Sequence, residues 1–206
     1  MASNQSARKR KVILITDGDK VARKTVEEAA RQVGARVISR SAGNPTPLTG
    51  HEIVDLVHQA KHDPVIVMFD DNGNGDEGYG EKALREFVCD PSIEVIGAIA
   101  VASNTEFVDG TRVDFSFDLE GNIVSDGVDK NGVPLGLREP IIMGDTVDVL
   151  TECNVPIVVG IGDIGKMYGH DAFYKGAPIT TSAILEILKR SGYDASSAEE
   201  YRHSSE

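Results

Sequence analysis

Four short apolar runs, residues 12–16, 65–69, 93–101 and 156–161, constrain this chain more than any other feature. A strand with no polar face has to be covered on both sides, as in a parallel sheet held between helices. The stretches between the runs have the matching helical spacing. Residues 20–33 carry Val21, Val26, Ala29, Ala30 and Val33 on one side and stop at Gly34, the glycine expected just past a helix end. Residues 36–40 read as a second short strand. Thr49 is placed to cap a helix bearing Ile53, Val54, Val57 and Ala60, which Asp63-Pro64 then breaks. Residues 81–88 form a further helical stretch, ended by Asp90-Pro91. The order βαβαβαβ predicts an α/β fold, a mostly parallel sheet with helices on both faces in a Rossmann-like or Toprim-like three-layer arrangement.

The rhythm changes after residue 110. Residues 111–117 alternate, with Val113, Phe115 and Phe117 on one face, and a Glu120-Gly121-Asn122 turn leads into Ile123-Val124. This pattern predicts a β-hairpin insertion at a sheet edge or over the site. Residues 127–140 read as loop, and residues 143–153 as a helix with Met143, Val147 and Leu150 inward. A closing helix over residues 179–189 presents Ile184, Ile187 and Leu188 and ends at Gly192. The expected organisation is a basic disordered arm (1–10), a single α/β domain (11–193) and a polar disordered tail (194–206).

Of the 206 residues 33 are acidic and 21 basic, giving a net charge of -12. That balance argues against gripping nucleic-acid phosphates, which needs clustered Lys and Arg, and against a purely electrostatic hold on anionic lipid. It suits a cation or a basic partner. The two cysteines, Cys89 and Cys153, show no CxxC spacing and are expected to be reduced thiols. No apolar run approaches the roughly 18–20 residues of a spanning helix, so the chain is expected to be intracellular, without direct membrane insertion.

Carboxylates follow three of the predicted strands: Asp17 and Asp19, Asp70 and Asp71, and Asp163. A parallel sheet would line them along one edge, where oxygen-ligated Mg²⁺ or Ca²⁺ binds; the candidate metal ligands are Asp17, Asp19 and Asp70. An aspartate after a strand also caps the next helix, so each has a structural alternative. The glycine-rich loop at residues 72–80, with Gly73 and Gly75, is a candidate anion cradle, although Asp76 and Glu77 oppose bare phosphate. Residues 160–166 resemble a dinucleotide fingerprint with no helix opening behind it; Gly162, Asp163 and Lys166 are its candidate ligand contacts, Lys166 foremost. His58 and His62 share a helix face without a third ligand, and no G-x-S-x-G elbow is present.

The segment TDGDKVARKTVEEAA resembles the strand-turn-helix of the Toprim domain, which implies Asp17 and Asp19 holding Mg²⁺ for phosphoryl transfer. It departs from that pattern in having only a polar arm upstream, where the partner glutamate belongs. A resemblance across the whole chain rests on KVILITDGD, SAGNPTPLTG, VIVMFDDNGNGDEGYGEKAL, EVIGAIAVAS, TRVDFSFD, GVDKNGVP, GDTVDVL, VPIVVGIGDIGKM and PITTSAILEILKRSGYD, in that order. On these the chain is similar to the soluble stage V sporulation protein AE family of spore-forming Firmicutes. The resemblance implies an accessory or regulatory component of the stage V A system, which moves the calcium chelate of dipicolinic acid and acts in germination. It also implies other stage V A proteins, including membrane components, as partners, and a place in the forespore or spore interior, peripheral to the inner membrane. It carries over no catalytic residues.

Overall fold

The computed structural model describes residues 8–72, 78–103, 110–137, 139–144 and 146–193. In chain order the elements are β1 (Arg10–Ile15), α1 (Lys20–Val33), β2 (Arg36–Val37), α2 (Gly50–Gln59), β3 (Val65–Met68), α3 (Tyr79–Val88) and β4 (Ile93–Val101). They continue with β5 (Thr111–Arg112), β6 (Phe115–Phe117), β7 (Ile123–Val124), β8 (Ile141–Ile142), α4 (Asp148–Glu152), β9 (Val158–Ile161) and α5 (Pro178–Arg190). Seven strands form one sheet in the order β2-β3-β1-β4-β9-β6-β7, and β5 pairs with β8 in a second, small sheet. Neighbours in the large sheet run parallel except β6 and β7, the antiparallel hairpin at its edge.

The core explains the apolar runs. Successive residues of a strand point to opposite faces. Ile13, Ile15, Ile66, Met68 and Ile99 meet α1 and α5 on one side, while Leu14, Val65, Val67, Phe69 and Ala98 meet α2 and α3 on the other. Each of these side chains larger than alanine contributes about 1.5–3 kcal/mol relative to exposure. Local signals set the helix ends. Gly34 takes the left-handed conformation, φ 71°, and returns its N–H to the Ala30 carbonyl. Thr49 and Glu52 form a reciprocal capping box at α2.

The structure departs from the sequence expectations in four places. Residues 111–117 are not one strand, because Asp114 leaves the alternation: its N–H donates to the Val158 carbonyl at 2.8 Å and its carboxylate accepts the Val158 N–H at 2.7 Å. Thr111–Arg112 therefore pairs with Ile141–Ile142, and only Phe115–Phe117 joins the large sheet. The expected strand over 36–40 ends after Val37, where the Ser41 hydroxyl donates to the Ile38 carbonyl and accepts the Met68 N–H. The expected helix over 143–153 shrinks to α4. The Met143 carbonyl is taken by the Ser103 N–H at 2.9 Å, and Thr146 has φ 60°, outside the helical region. Val147 and Leu150 are buried as expected, whereas Met143 is exposed. Finally, Arg10 belongs to β1 and not to the arm; its guanidinium bonds Asp63 at 2.7 Å and the His58 and Ala60 carbonyls. Cys89 and Cys153 are free thiols.

Candidate functional site

Strands β1, β3, β4 and β9 are parallel and end at the same edge of the sheet. The chain leaves β1 through Thr16, whose hydroxyl accepts the Val101 N–H at 3.0 Å and ties the turn to β4. Gly18 follows, its N–H donating to Asp70 Oδ2 at 3.0 Å. A Cβ on Gly18 would lie 2.6 Å from the Gly43 carbonyl and 3.1 Å from Asp70 Cβ, so no larger residue fits between the two loops. Asp70 Oδ1 accepts the Asn72 N–H at 2.9 Å. Asp17 is buried beside this turn, with Oδ1 accepting the Asp19 N–H at 3.1 Å.

Asp19 divides its two oxygens. Oδ1 caps α1, accepting the N–H groups of Val21 and Ala22 at 2.7 and 2.8 Å, while Oδ2 receives Lys166 Nζ at 2.8 Å. Lys166 also reaches Asp163 Oδ1 at 2.9 Å, so one ammonium bridges the ends of β1 and β9.

The carboxylates respond differently to this shared edge. Burial, reinforced by the negative charges of Asp19, Asp163 and Asp70, pushes the Asp17 carboxyl well above the usual aspartate range. Burial also pushes Asp19 upward, but the Lys166 hydrogen bond and the capping N–H groups outweigh it and hold Asp19 below that range. Asp163 shares the same lysine yet is raised, because burial wins where no helix-capping donors assist. Lys166 is driven up by its two carboxylates against the cost of burial.

The structure thus brings Asp17, Asp19, Asp70, Asp163 and Lys166 together. Asp71 turns the other way and caps α3, its oxygens accepting the Gly80 and Glu81 N–H groups. Gly162 packs under residues 130–132, where a Cβ would meet Gly132 N at 2.7 Å. Gly73 and Gly75 lie outside the described residues. Among the described residues no group of three or more His, Cys, Asp or Glu side chains stands as a ready metal shell; Asp19, one of the three expected ligands, is engaged by its helix and by Lys166. No α-helix opens behind Lys166, since Met167 and Tyr168 have φ 40° and 53°, so the glycine pattern has no helix N-terminus on which to seat a pyrophosphate. Beside the carboxylates, a cleft of about 470 Å³ is lined by Gly18, Asp19, Lys20, Arg23, Gly43 and Asn44.

One organising residue escaped the sequence reading. Asp171 is completely buried and accepts four hydrogen bonds, from the N–H groups of Gly165, Ile179 and Thr180 and the Thr180 hydroxyl, at 2.6–3.0 Å. It fastens the Lys166 loop to the start of α5.

The family model of stage V sporulation protein AE1 matches residues 11–191. The chain belongs to this family. Membership makes it a sporulation-related protein, and every residue of the strand-end cluster lies within the matched span. No curated protein and no solved structure matches the chain. Among the described residues of this family member, no helix is long and apolar enough to cross a membrane.

Proposed function

We propose that this protein is an accessory component of the stage V A system, serving the movement of calcium dipicolinate and germination through binding of partner proteins and a small ligand. The observation that carries the biological role is the family match over residues 11–191. Its partners, on this reading, are other stage V A proteins, including membrane components, and its place is the spore interior, peripheral to the inner membrane. The test is a clean deletion: spores should store less dipicolinate or germinate with altered timing. Wild-type values in both assays overturn the role.

The small ligand belongs at the strand-end edge. Asp17, Asp19, Asp70 and Asp163 crowd there, and Lys166 is bonded to two of them. Such an edge favours a divalent cation, Mg²⁺ or Ca²⁺, which would take over from the Lys166 ammonium; Asp17 would have to give up its proton, so binding should strengthen as pH rises. Calorimetric titration with Ca²⁺ and Mg²⁺ tests this. Saturable heat that disappears in Asp17→Asn supports the site, and the absence of heat in the wild type removes it without touching the deletion experiment. A phosphoryl-transfer reading of the same carboxylates needs that metal as well and falls with it.

A further inference from the structure

The outer side of the loop after Lys166 presents a group of aromatic rings to solvent. Tyr168 and Tyr174 are 75% and 74% exposed, and Phe173 is 39% exposed. They form one surface with two lysines. The Phe173 and Tyr174 rings meet edge to face at 5.6 Å, Lys24 Nζ stands 5.5 Å from the Phe173 ring centroid, and Lys175 Nζ donates to the Gly169 carbonyl, next to Tyr168, at 2.8 Å.

The backbone that carries these rings is tied down. Asp171 clamps the loop from beneath with its four hydrogen bonds. Met167 and Tyr168 are both held at positive φ, a conformation that costs a non-glycine residue about 1–3 kcal/mol and persists only where the surroundings enforce it. The turn buries Met167 in the core and leaves Tyr168 beside it in water. Exposed tyrosines on a held backbone are side chains that anchor interfaces, because they bring large area with few torsions to lose.

The charge of the surface selects the partner. The chain carries -12 overall, yet among the described residues Lys20, Lys24 and Lys175 form no ion pair, whereas Arg23 is matched by Glu27 and Lys166 by Asp19 and Asp163. We infer that this surface docks an acidic segment of a partner protein, with apolar side chains packed on Tyr168, Phe173 and Tyr174 and carboxylates meeting Lys24 and Lys175. A bilayer is the poorer match: an anionic plane repels the whole acidic molecule, while a short segment meets only the charges within about 8 Å of it. A second copy of the chain brings the same excess negative charge. The surface adjoins the Lys166 loop, but docking on it does not require a cation at the strand-end carboxylates.

The experiment is a two-dimensional amide NMR titration of the full chain with a short synthetic peptide of Glu, Asp and Leu. The expected result is shifts confined to residues 20–25 and 165–177 that fade with added salt, and none with a Lys/Arg/Leu peptide. Lys24→Glu with Lys175→Glu, and separately Tyr168→Asn with Tyr174→Ser, should each weaken binding by about tenfold or more, which is about 1.4 kcal/mol. Asparagine is chosen because it accepts the left-handed conformation, and the spectra report whether each variant is folded. The proposal is overturned by an absence of shifts, by shifts elsewhere, or by shifts that both variants retain. Patch-dependent sedimentation with phosphatidylglycerol vesicles, or patch-dependent self-association, would overturn it in favour of those occupants.

Discussion

Asp171 precedes α5 and Asp17 precedes α1; both are buried aspartates in loops that leave the carboxyl ends of neighbouring parts of the same sheet. Around Asp171 every neighbour named is a donor: three backbone N–H groups and a hydroxyl. Around Asp17 there is one N–H, from Asp19, and the negative charges of Asp19, Asp163 and Asp70. The first carboxylate is consumed in building a loop. The second accepts a single N–H and sits among the other strand-end carboxylates, so burial and their charges raise its pKa. Identical side chains at similar depth therefore separate by the donors and charges around them.

The contrast makes graded predictions. Asp171→Ala strips the acceptor from four donors, three of them in buried hydrogen bonds, and should cost about 3–5 kcal/mol, read as a large fall in the urea midpoint; a loss below about 1 kcal/mol would erase the distinction between the two aspartates. Gly18→Ala forces a methyl to 2.6 Å from the Gly43 carbonyl and should cost about 1–3 kcal/mol by the same measurement. An unchanged midpoint would mean that the floor of the Asp17 turn gives way easily.

Asp17→Asn should act in the opposite direction. Its raised pKa means that the folded state holds the proton more tightly than the unfolded chain. Stability from Asp17 is then fully present below the ordinary aspartate range and lost as pH rises through the folded pKa. Asparagine does not titrate, so the variant should melt a few degrees higher than wild type at neutral pH, and the gain should vanish in acid. Equal melting curves at neutral pH would show that the Asp17 pKa is not raised. Lys166→Met should have the smallest effect on stability, within about 1 kcal/mol, since the pairs it makes are partly solvated. Carbonyl NMR titration should nevertheless show Asp19 rising toward the usual aspartate range; an unmoved Asp19 would make the helix cap alone responsible for its acidity.

The parts of the fold legible in the sequence were those set by neighbours in the chain. The helix over 20–33 with its Gly34 cap, the Thr49 N-cap and the both-faced apolar strands all stand where the local pattern put them. The misplaced parts depend on contacts across the fold. Asp114 is detached from its strand by Val158, and the Met143 carbonyl is taken by the Ser103 N–H, neither of which periodicity records. The site divides in the same way. Strand-end position was enough to nominate Asp17, Asp19, Asp70, Asp163 and Lys166, because a parallel sheet aligns those ends. It could not separate Asp71, which caps α3, from Asp70, which faces the β1 turn, since the two differ only in which way one peptide turns. Asp171 stayed hidden because the N–H groups it accepts at α5 lie 8 and 9 residues ahead, beyond the reach of a capping motif.

The placement of β9 between β4 and β6 has a consequence for how the chain is made. β6 is synthesised before β9 but lies outside it in the sheet, so neither β4 nor β6 has its β9 neighbour until residues 158–161 have been made. β9 itself carries Gly160 where it passes the Ser116 hydroxyl and Ile142, a position at which a Cβ would come within 2.4 Å of the former. Late insertion of a parallel strand is slow and leaves open edges that recruit other chains. The large sheet can therefore close only after the last strand of the chain has been made.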